Sequence, residues 1–439
     1  MGTIPPNEDK SPGPARPEAG ASQKPGVLSS LPGRLLLAGC ILQFVLLAKL
    51  GWGFWRPAKP LLPALSRAST TENAAEPIFR ANPGPWGELE YVRITLEPPE
   101  EFVPVEDGVF EKASWFFAGH TRAQLTNLFT QCDLTSLQRA ALFNPAAWSV
   151  ETNGITVVPG DEIVLGLSRP ARTQIYSVLG ESTRNNLQCW PFRFRRGGID
   201  DWFDPGEFSE PTRTLLKSLV YERGATLCFS DVMEASAKIP NASERRQLLK
   251  TLAASSSLLM KLRIRPDSDI HALAAYWGRG FRTKDLEALF RSLTKVRGGI
   301  TIDVAQLLPP LGRKKLNTYP IPADDPSSNQ PPNCSWTALN FFNDPPDGRF
   351  YNPEVWKKEL ETNYIPVTEP TFGDLLFLMK PDGTVVHVAV FIADDVVFTK
   401  NGESNAKPWL LMKWEDVLAS YSTDHPLQVL MFRAKARVN

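Results

Sequence analysis

The stretch from residue 373 to residue 401 restricts the fold of this chain most strongly, because apolar runs and turns alternate in it as in an antiparallel meander. Three strands are predicted, at residues 373–378, 387–392 and 396–400, with turns at Pro381-Asp382-Gly383 and Asp394-Asp395. Side chains two residues apart point to the same face of a strand, so His387 shares a face with Ala389 and Phe391. The sequence therefore predicts a small antiparallel sheet with a histidine on one face.

A short helix that begins at a cysteine is predicted just before this meander. Asn333 follows two prolines and is a good N-cap, and Asp344-Pro345-Pro346 ends the segment a few residues later. Cys334 would then lie in the first turn, where unpaired backbone N–H groups and the helix dipole favour thiolate over thiol. These are the surroundings that a nucleophilic cysteine needs.

The meander also offers a base for this cysteine and a group to orient the base. His387 would take the thiol proton, and a polar residue on the next strand would hold the imidazole in one tautomer. Thr399 and Asn401 both lie on one face of that strand. We choose Asn401 because an amide is the better hydrogen-bonding orienter. The candidate catalytic residues are therefore Cys334, His387 and Asn401, with Thr399 as the alternative third member.

These residues resemble the NlpC-type cysteine peptidases and the related CHAP amidases. Those families combine a helix-borne Cys, a strand led by Gly-Asp, a His-Val strand and a third polar residue, which correspond here to Cys334, Gly373-Asp374, His387-Val388 and a position near Thr399. The likeness covers roughly the last quarter of the chain. One departure is Asn333-Cys334-Ser335-Trp336 in place of the usual Asp-Cys-Ser-Gly, so access to the thiol is expected to differ. The resemblance implies a papain-like domain that cleaves an amide bond in peptidoglycan stem peptides.

A membrane anchor is predicted near the N-terminus. The run from Leu35 to Trp55 is apolar apart from Gln43 and Lys49, and its length matches the roughly 20 residues that a spanning helix needs. A cleaved signal peptide is the alternative, but a long proline-rich leader precedes the run and no small-residue cleavage motif follows it closely. We predict a single transmembrane anchor at residues 34–56. Basic residues are balanced on its two sides, and the large C-terminal body favours an extracytoplasmic location for that body.

Composition divides the rest of the chain. Residues 1–33 are rich in Pro, Gly, Ser and charge and are predicted to form a disordered leader, and residues 57–77 a proline-rich stalk. Residues 78–310 are predicted to form a mixed α/β region without an assigned function. A basic and then Pro/Asp/Ser-rich segment marks the boundary before a hydrolase-like domain at residues 311–439.

Apolar spacing predicts individual elements in the middle region. A helix is expected after Thr121 and another after Thr283, with Thr283 as the N-cap of the second. Glu162–Leu167 and Gln174–Leu179 are predicted to be strands, separated by a turn that contains a proline.

Charge and cysteine content exclude several function classes. The chain carries 48 basic and 48 acidic side chains, so no net field would attract nucleic acid, and we expect no nucleic-acid partner. Its five cysteines lack CxxC spacing, which argues against a zinc ribbon. Asp267, Asp269 and His271 could ligate a metal, but they open a predicted helix, where Asp is an ordinary cap. We expect neither a metal nor another cofactor.

Two functions from different classes fit these observations. The first is a membrane-anchored thiol hydrolase of α+β class: a papain-like, NlpC-type C-terminal domain with a helix-borne Cys on a small antiparallel sheet, preceded by a mixed α/β region and an N-terminal transmembrane helix. It would cleave an amide bond, and the resemblance implies a cell-wall peptide; acyl transfer would use the same residues. The second is a catalytically inactive, membrane-tethered binding or scaffold protein in which residues 78–310 bind the partner. Fast alkylation of Cys334 would favour the hydrolase.

Overall fold

The computed structural model describes residues 77–102, 113–194, 199–203, 207–224, 226–280, 282–320, 331–421 and 426–435. The predicted leader, the predicted anchor at residues 34–56 and all but the last residue of the predicted stalk lie outside these ranges. Within them, no helix combines the length and the apolar character that crossing a membrane requires.

The described residues alternate between short strands and helices. The strands are β1 (Phe79–Arg80), β2 (Glu88–Leu96), β3 (Trp115–Ala118), β4 (Trp148–Glu151), β5 (Gly154–Val157), β6 (Phe192–Phe194), β7 (Tyr221–Arg223), β8 (Thr226–Phe229), β9 (Ser255–Ile264), β10 (Ile300–Asp303), β11 (Tyr364–Val367), β12 (Leu375–Met379), β13 (Val385–Ala393), β14 (Val396–Lys400), β15 (Trp409–Lys413) and β16 (Gln428–Ala434).

The α-helices are α1 (Arg122–Gln131), α2 (Ser136–Leu142), α3 (Asp161–Leu165), α4 (Arg169–Leu179), α5 (Asn186–Cys189), α6 (Ile199–Trp202), α7 (Glu210–Ser218), α8 (Val232–Lys238), α9 (Ala242–Ala253), α10 (Ile270–Trp277), α11 (Thr283–Leu293), α12 (Pro310–Lys315), α13 (Cys334–Leu339), α14 (Pro353–Asn363) and α15 (Trp414–Ser420). Short 3₁₀ turns occur at Glu100–Phe102, Pro145–Ala147, Val304–Gln306 and Gly348–Tyr351.

The strands of the described ranges form four sheets, and every pairing within them is antiparallel. The largest has six strands in the order β11-β16-β12-β13-β14-β15, and a second has the order β1-β2-β9-β10. Two three-stranded sheets, β3-β5-β4 and β6-β8-β7, lie in the middle of the chain. The C-terminal strand β16 pairs with β12, so the end of the chain is built into the largest sheet.

Both faces of the six-stranded sheet are covered. Every residue of β12, β14 and β15 is buried, including the polar ends of the last two strands, Thr399, Lys400 and Lys413. Helix α13 covers one face, where the indole N–H of Trp409 donates to Thr337 Oγ1 at 3.0 Å. The other face holds a core that includes Leu376, Phe391 and Leu410. A strand of this sheet therefore presents side chains to protein on both sides.

Residues from the first part of the chain hydrogen-bond directly to this sheet. Ser257 on β9 accepts the backbone N–H of Leu411 at 3.3 Å, and its hydroxyl donates to Asn317 Oδ1 at 2.7 Å. The Tyr276 hydroxyl donates to the backbone oxygen of Ile392 at 2.7 Å. The sheet that carries His387 is thus supported by segments on both sides of the predicted boundary near residue 311.

A buried charged network lies in the middle of the chain. Arg172 and Asp231 are almost completely buried, and Arg172 Nε lies 2.9 Å from Asp231 Oδ2. Arg172 also donates to backbone oxygens, and Asp231 accepts the hydroxyl of Tyr176. Both charges therefore have partners, as burial of an ion pair requires.

The fold class predicted from the sequence is wrong. The described residues form a mixed α/β fold with several antiparallel sheets, in place of a small sheet under the cysteine helix preceded by a separate mixed region. The predicted sheet was too small because β15, β11 and β16 join it through loops or over long sequence separations, which hairpin patterns do not reveal. No transmembrane helix is found in the described ranges, and the segment predicted to form one lies outside them.

Local predictions had mixed outcomes. The meander is confirmed as β12, β13 and β14, and the helices after Thr121 and near Thr283 are confirmed as α1 and α11. Thr283 is wrong as an N-cap, because Arg282 occupies that position and the Thr283 hydroxyl donates to Gly278 O. The two predicted strands at residues 162–179 are helices α3 and α4. Ser168 caps α4 with a proline in its first turn, which are helix-start signals that outweighed the apolar runs.

Candidate active site

Cys334 is the first residue of helix α13, and Asn333 is its N-cap, as predicted. Asn333 Oδ1 accepts the backbone N–H of Trp336 at 2.9 Å, which satisfies one of the unpaired donors of the first turn. The sulfur in turn receives a hydrogen bond from the backbone N–H of Val388 on β13. The helix start therefore meets the strand at the residue next to His387.

Burial controls the acidity of Cys334. The residue keeps some exposed surface, but its thiol is packed within protein, and this burial raises the pKa. The backbone N–H groups of Val388, Ser335 and Cys334 and the Ser335 hydroxyl act in the opposite direction but do not outweigh it. The prediction that the helix start would favour the thiolate is therefore wrong for this closed arrangement, because desolvation of the charge is the larger effect. The resting group at neutral pH is the thiol.

His387 lies on β13 and is completely buried. Its Nε2 is 2.7 Å from Thr399 Oγ1 on β14. Burial lowers the pKa of His387 to about 3, so the imidazole is neutral at physiological pH. Nδ1 is also buried and has no hydrogen-bond partner among the described residues. When Nε2 carries the proton and donates to Thr399, Nδ1 keeps a lone pair that can accept a proton.

Asn401 does not hold this imidazole. Its Nδ2 contacts Met412 Sδ at 3.2 Å, and its Oδ1 has no hydrogen-bond partner in the described part of the chain. The choice of Asn401 over Thr399 as the group bonded to His387 is therefore wrong geometrically. Val390 pairs with Phe398, so Asn401 would be the residue directly across from His387, but the ring leans diagonally to Thr399. Counting along the pattern of the resembling families would have found Thr399.

Tyr421 completes the surroundings of the imidazole. It follows α15, and its ring stacks on His387 with 4.2 Å between ring centroids and 20° between the planes. Burial raises the pKa of Tyr421 well above its usual value, and the nearby Cys334 thiolate would raise it further. Tyr421 is thus close to both Cys334 and His387. No sequence pattern points to it, because one aromatic residue after a helix is ordinary.

The three predicted site residues thus have different surroundings. The Cys334 sulfur contacts the backbone N–H of Val388, but the His387 side chain lies on the opposite face of the sheet from α13, with the core that includes Phe391. Asn401 lies apart from the imidazole. Cys334 does not hydrogen-bond to Nδ1 of His387 in the part of the chain that the structure describes. The arrangement is a neutral thiol at the backbone of β13 and a neutral imidazole whose ring is fixed by Thr399 and Tyr421. Proton transfer between them during attack on a carbonyl would require the sulfur to reach Nδ1 past the backbone of β13.

The possible metal-ligand segment has a structural role. Asp269 Oδ1 accepts the backbone N–H of Ala272 at 3.0 Å and caps α10. His271 is exposed, with Nδ1 3.4 Å from Glu287. Across the described ranges, no group of three or more His, Cys, Asp or Glu side chains is arranged to hold a metal ion.

Comparison with protein-family models, with curated proteins and with solved structures gave no match to this chain.

Proposed function

We propose that this chain is a thiol-dependent hydrolase that cleaves an amide bond, with Cys334 as nucleophile, His387 as base and Thr399 as the residue that orients the base. The observation that carries the proposal is the hydrogen bonding of the two ring nitrogens of His387. One ring nitrogen is fixed by Thr399, and the other is buried without a partner on the strand whose next residue contacts the Cys334 sulfur. A buried imidazole nitrogen without a partner is costly in a purely structural role, but a base needs one.

The reaction would proceed in two stages. As the Cys334 sulfur bonds to the amide carbonyl carbon, the thiol proton passes to Nδ1 of His387, and the carbonyl oxygen becomes negative. Backbone N–H groups in the first turn of α13 would donate to this oxygen. The C–N bond then breaks, the imidazolium protonates the leaving amine, and a thioester remains on Cys334. Water attacks the thioester carbonyl while His387 takes a proton from it, the C–S bond breaks and releases the acid, and the imidazolium returns the proton to the Cys334 sulfur.

The protonation states favour a proton transfer coupled to attack over a preformed ion pair. The pKa of the Cys334 thiol is raised and that of His387 is lowered, so both groups are neutral at rest. Thr399 would then bind the Nε2 proton of the imidazole and of the imidazolium. Tyr421 would hold the ring plane by stacking on it.

The substrate class proposed is a peptide amide. The resemblance described above implies a cell-wall stem peptide, and this remains a prediction. Transfer of the acyl group to an amine instead of water would use the same residues. A catalytically inactive scaffold is the second candidate, and the packing of the thiol within protein and its raised pKa favour it.

Turnover assays would test the proposal. The full chain and two variants, Cys334→Ala and Cys189→Ala, would be incubated with fluorogenic amino-acid and peptide amides and with isolated stem peptides. Cys189 is a partly buried control thiol at the end of helix α5. We expect turnover by the wild type and Cys189→Ala and none by Cys334→Ala. Equal turnover by all three would exclude Cys334 as the nucleophile, and no turnover together with slow alkylation of Cys334 would favour the scaffold.

A further inference from the structure

A buried lysine lies beside this site. Lys400 is the last residue of β14, directly after Thr399, and it is completely buried. Its Nζ donates to the backbone oxygens of Gly402 at 2.9 Å and Ser404 at 3.1 Å, in the turn after β14. An ammonium has three donors, and no acceptor in the described ranges takes the third. Burying a charged group is costly, so retention of a lysine here calls for a reason beyond packing.

Strand register places Lys400 on the face that carries the cysteine helix. Val390 pairs with Phe398, so two residues further along each antiparallel strand Lys400 lies across from Val388. Val388 is the residue whose backbone N–H contacts the Cys334 sulfur. Lys400 therefore approaches the thiol from the neighbouring strand.

Two contacts confirm that helix α13 covers this face. Lys400 pairs with Trp409 on β15, and its Nζ lies 5.9 Å from the centre of the indole ring. The same indole donates to Thr337 in α13. Thus Lys400, Trp409 and the helix that begins at Cys334 form one packed layer.

Burial and the nearby charges set the pKa of Lys400. Burial lowers the pKa of Lys400 to about 8, and the Cys334 thiolate is the largest charge that raises it, followed by Glu403; Lys407 lowers it. At pH 7 the ammonium is thus still mostly protonated. Near the thiol, the imidazole of His387 is neutral at rest and the hydroxyl of Tyr421 carries no positive charge, while a second cation, Lys315, lies over the Trp409 ring with Nζ 5.2 Å from its centre.

We propose that the Lys400 ammonium stabilises the negative charge that forms on the Cys334 sulfur when its proton leaves for His387, and so promotes formation of the nucleophile. Lys400 acts through the thiol and does not itself touch the substrate. The inference rests on the proposed function, because it assigns a role to a thiolate that the reaction forms. Backbone N–H groups supply only partial charges at this sulfur, whereas a buried ammonium supplies a full positive charge where water does not screen it.

The pH dependence of Cys334 alkylation tests this inference without a substrate. The full chain would be treated with iodoacetamide between pH 6 and pH 10, and labelling of each cysteine followed by mass spectrometry. Three variants are compared with the wild type: Lys400→Met, Lys400→Arg and Lys407→Met. Lys407 is a matched control, because burial alone lowers its pKa to about 8 and its Nζ donates to a backbone oxygen, that of Ala253, at 3.3 Å.

Loss of the charge should raise the apparent pKa of Cys334. For Lys400→Met we expect an upward shift of at least about one pKa unit and an alkylation rate at pH 7 at least about tenfold lower, since a full charge within roughly 12 Å has this effect at an effective dielectric constant of about 20. Lys407→Met should stay within about twofold of the wild type, and Lys400→Arg should retain most of the wild-type rate because it keeps the charge. A Lys400→Met profile that coincides with that of Lys407→Met would overturn the inference.

Two readouts separate folding defects and failure of the proposed function from failure of the inference. Cys132 is buried, and burial raises its pKa to about 11, so its alkylation stays slow only while the fold is intact. If Lys400→Met exposes Cys132, the decision passes to Lys400→Arg: a raised Cys334 pKa in that variant, with Cys132 still protected, overturns the inference. If wild-type Cys334 reacts no faster than Cys189, the proposed function itself fails. Fast wild-type labelling that does not depend on Lys400 removes only the inference.

Discussion

Replacement of Asp374 by asparagine should destabilise the fold strongly, because this carboxylate is completely buried at the start of β12 and is held by two arginines. Arg433 Nη2 lies 2.7 Å from Oδ2 and Arg279 Nη1 lies 3.1 Å from Oδ1, while the backbone N–H of Thr371 donates to Oδ2 at 2.8 Å. These contacts join β16, the turn before β12 and the segment after α10. Asp374→Asn keeps the size of the side chain and removes its charge.

The magnitude follows from the burial of the pair. Removing one partner of a buried ion pair costs about 3–5 kcal/mol, because the remaining charge loses its compensation. The two arginine side chains are 28% and 33% exposed, so water can partly solvate them after the change. We therefore expect a loss near the lower end, about 3 kcal/mol in the free energy of unfolding.

Guanidinium chloride unfolding followed by tryptophan fluorescence would measure this loss. The control is Asp382→Asn, an exposed residue in the turn between β12 and β13 whose carboxylate accepts the backbone N–H of Thr384 at 2.9 Å. Asparagine can accept the same bond, so the control should be nearly neutral. A loss for Asp374→Asn below about 1 kcal/mol, or one equal to that of the control, would refute the argument that this buried pair stabilises the sheet.

Three further predictions concern the site and the buried charged network. Thr399→Val should lower kcat/KM for a cleaved amide by about 10- to 100-fold because the imidazole loses its orienting bond, whereas Asn401→Ala should change it less than about threefold; the reverse order in steady-state kinetics would restore Asn401. Tyr421→Ala should lower kcat/KM while Tyr421→Phe keeps it, since the stack needs only the ring; equal losses would assign the role to the hydroxyl. Burial, with the Asp231 carboxylate, raises the pKa of Glu234 from 4.5 to about 7. The folded chain therefore retains a proton that the unfolded chain has released between these pH values, and stability falls as pH rises through this window. Glu234→Gln should consequently be more stable than the wild type by about 3 kcal/mol at pH 8 and about equal to it at pH 4.5 in urea unfolding; a difference independent of pH would contradict this.

Local rules succeeded where a few neighbouring residues decide the structure. Asn333 predicted the start of the cysteine helix because a side-chain cap acts within one turn. The meander was predictable because turn residues and the period of two act over a few positions. Ser168 is a valid helix-start signal as well, but the apolar runs on both sides of it favoured strands.

Distant contacts are the part that the sequence did not reveal. The pairing of β16 with β12 joins segments far apart in the chain, and no local pattern specifies that partner. The His387 ring bonds to Thr399, which lies diagonally across from it, and not to Asn401 directly opposite. The period of two places both residues on the same face and therefore does not distinguish them. Burial, which raises the pKa of Cys334 and lowers that of His387, is a property of the whole packed site. The N–H groups at the helix start lower the pKa of Cys334, but burial raises it by more, so the predicted shift had the wrong direction.

The central claim is that Cys334 becomes a nucleophile by giving its proton to His387, and alkylation kinetics of the full chain test it most directly. The second-order rate of iodoacetamide labelling at pH 7 would be measured at Cys334 and at Cys189 in the wild type and in His387→Ala. We predict that wild-type Cys334 reacts faster than Cys189, and that His387→Ala slows Cys334 by at least about tenfold, since general-base assistance contributes more than this, while Cys189 is unchanged. Labelling of wild-type Cys334 no faster than that of Cys189, or an unchanged Cys334 rate in His387→Ala, would contradict the claim.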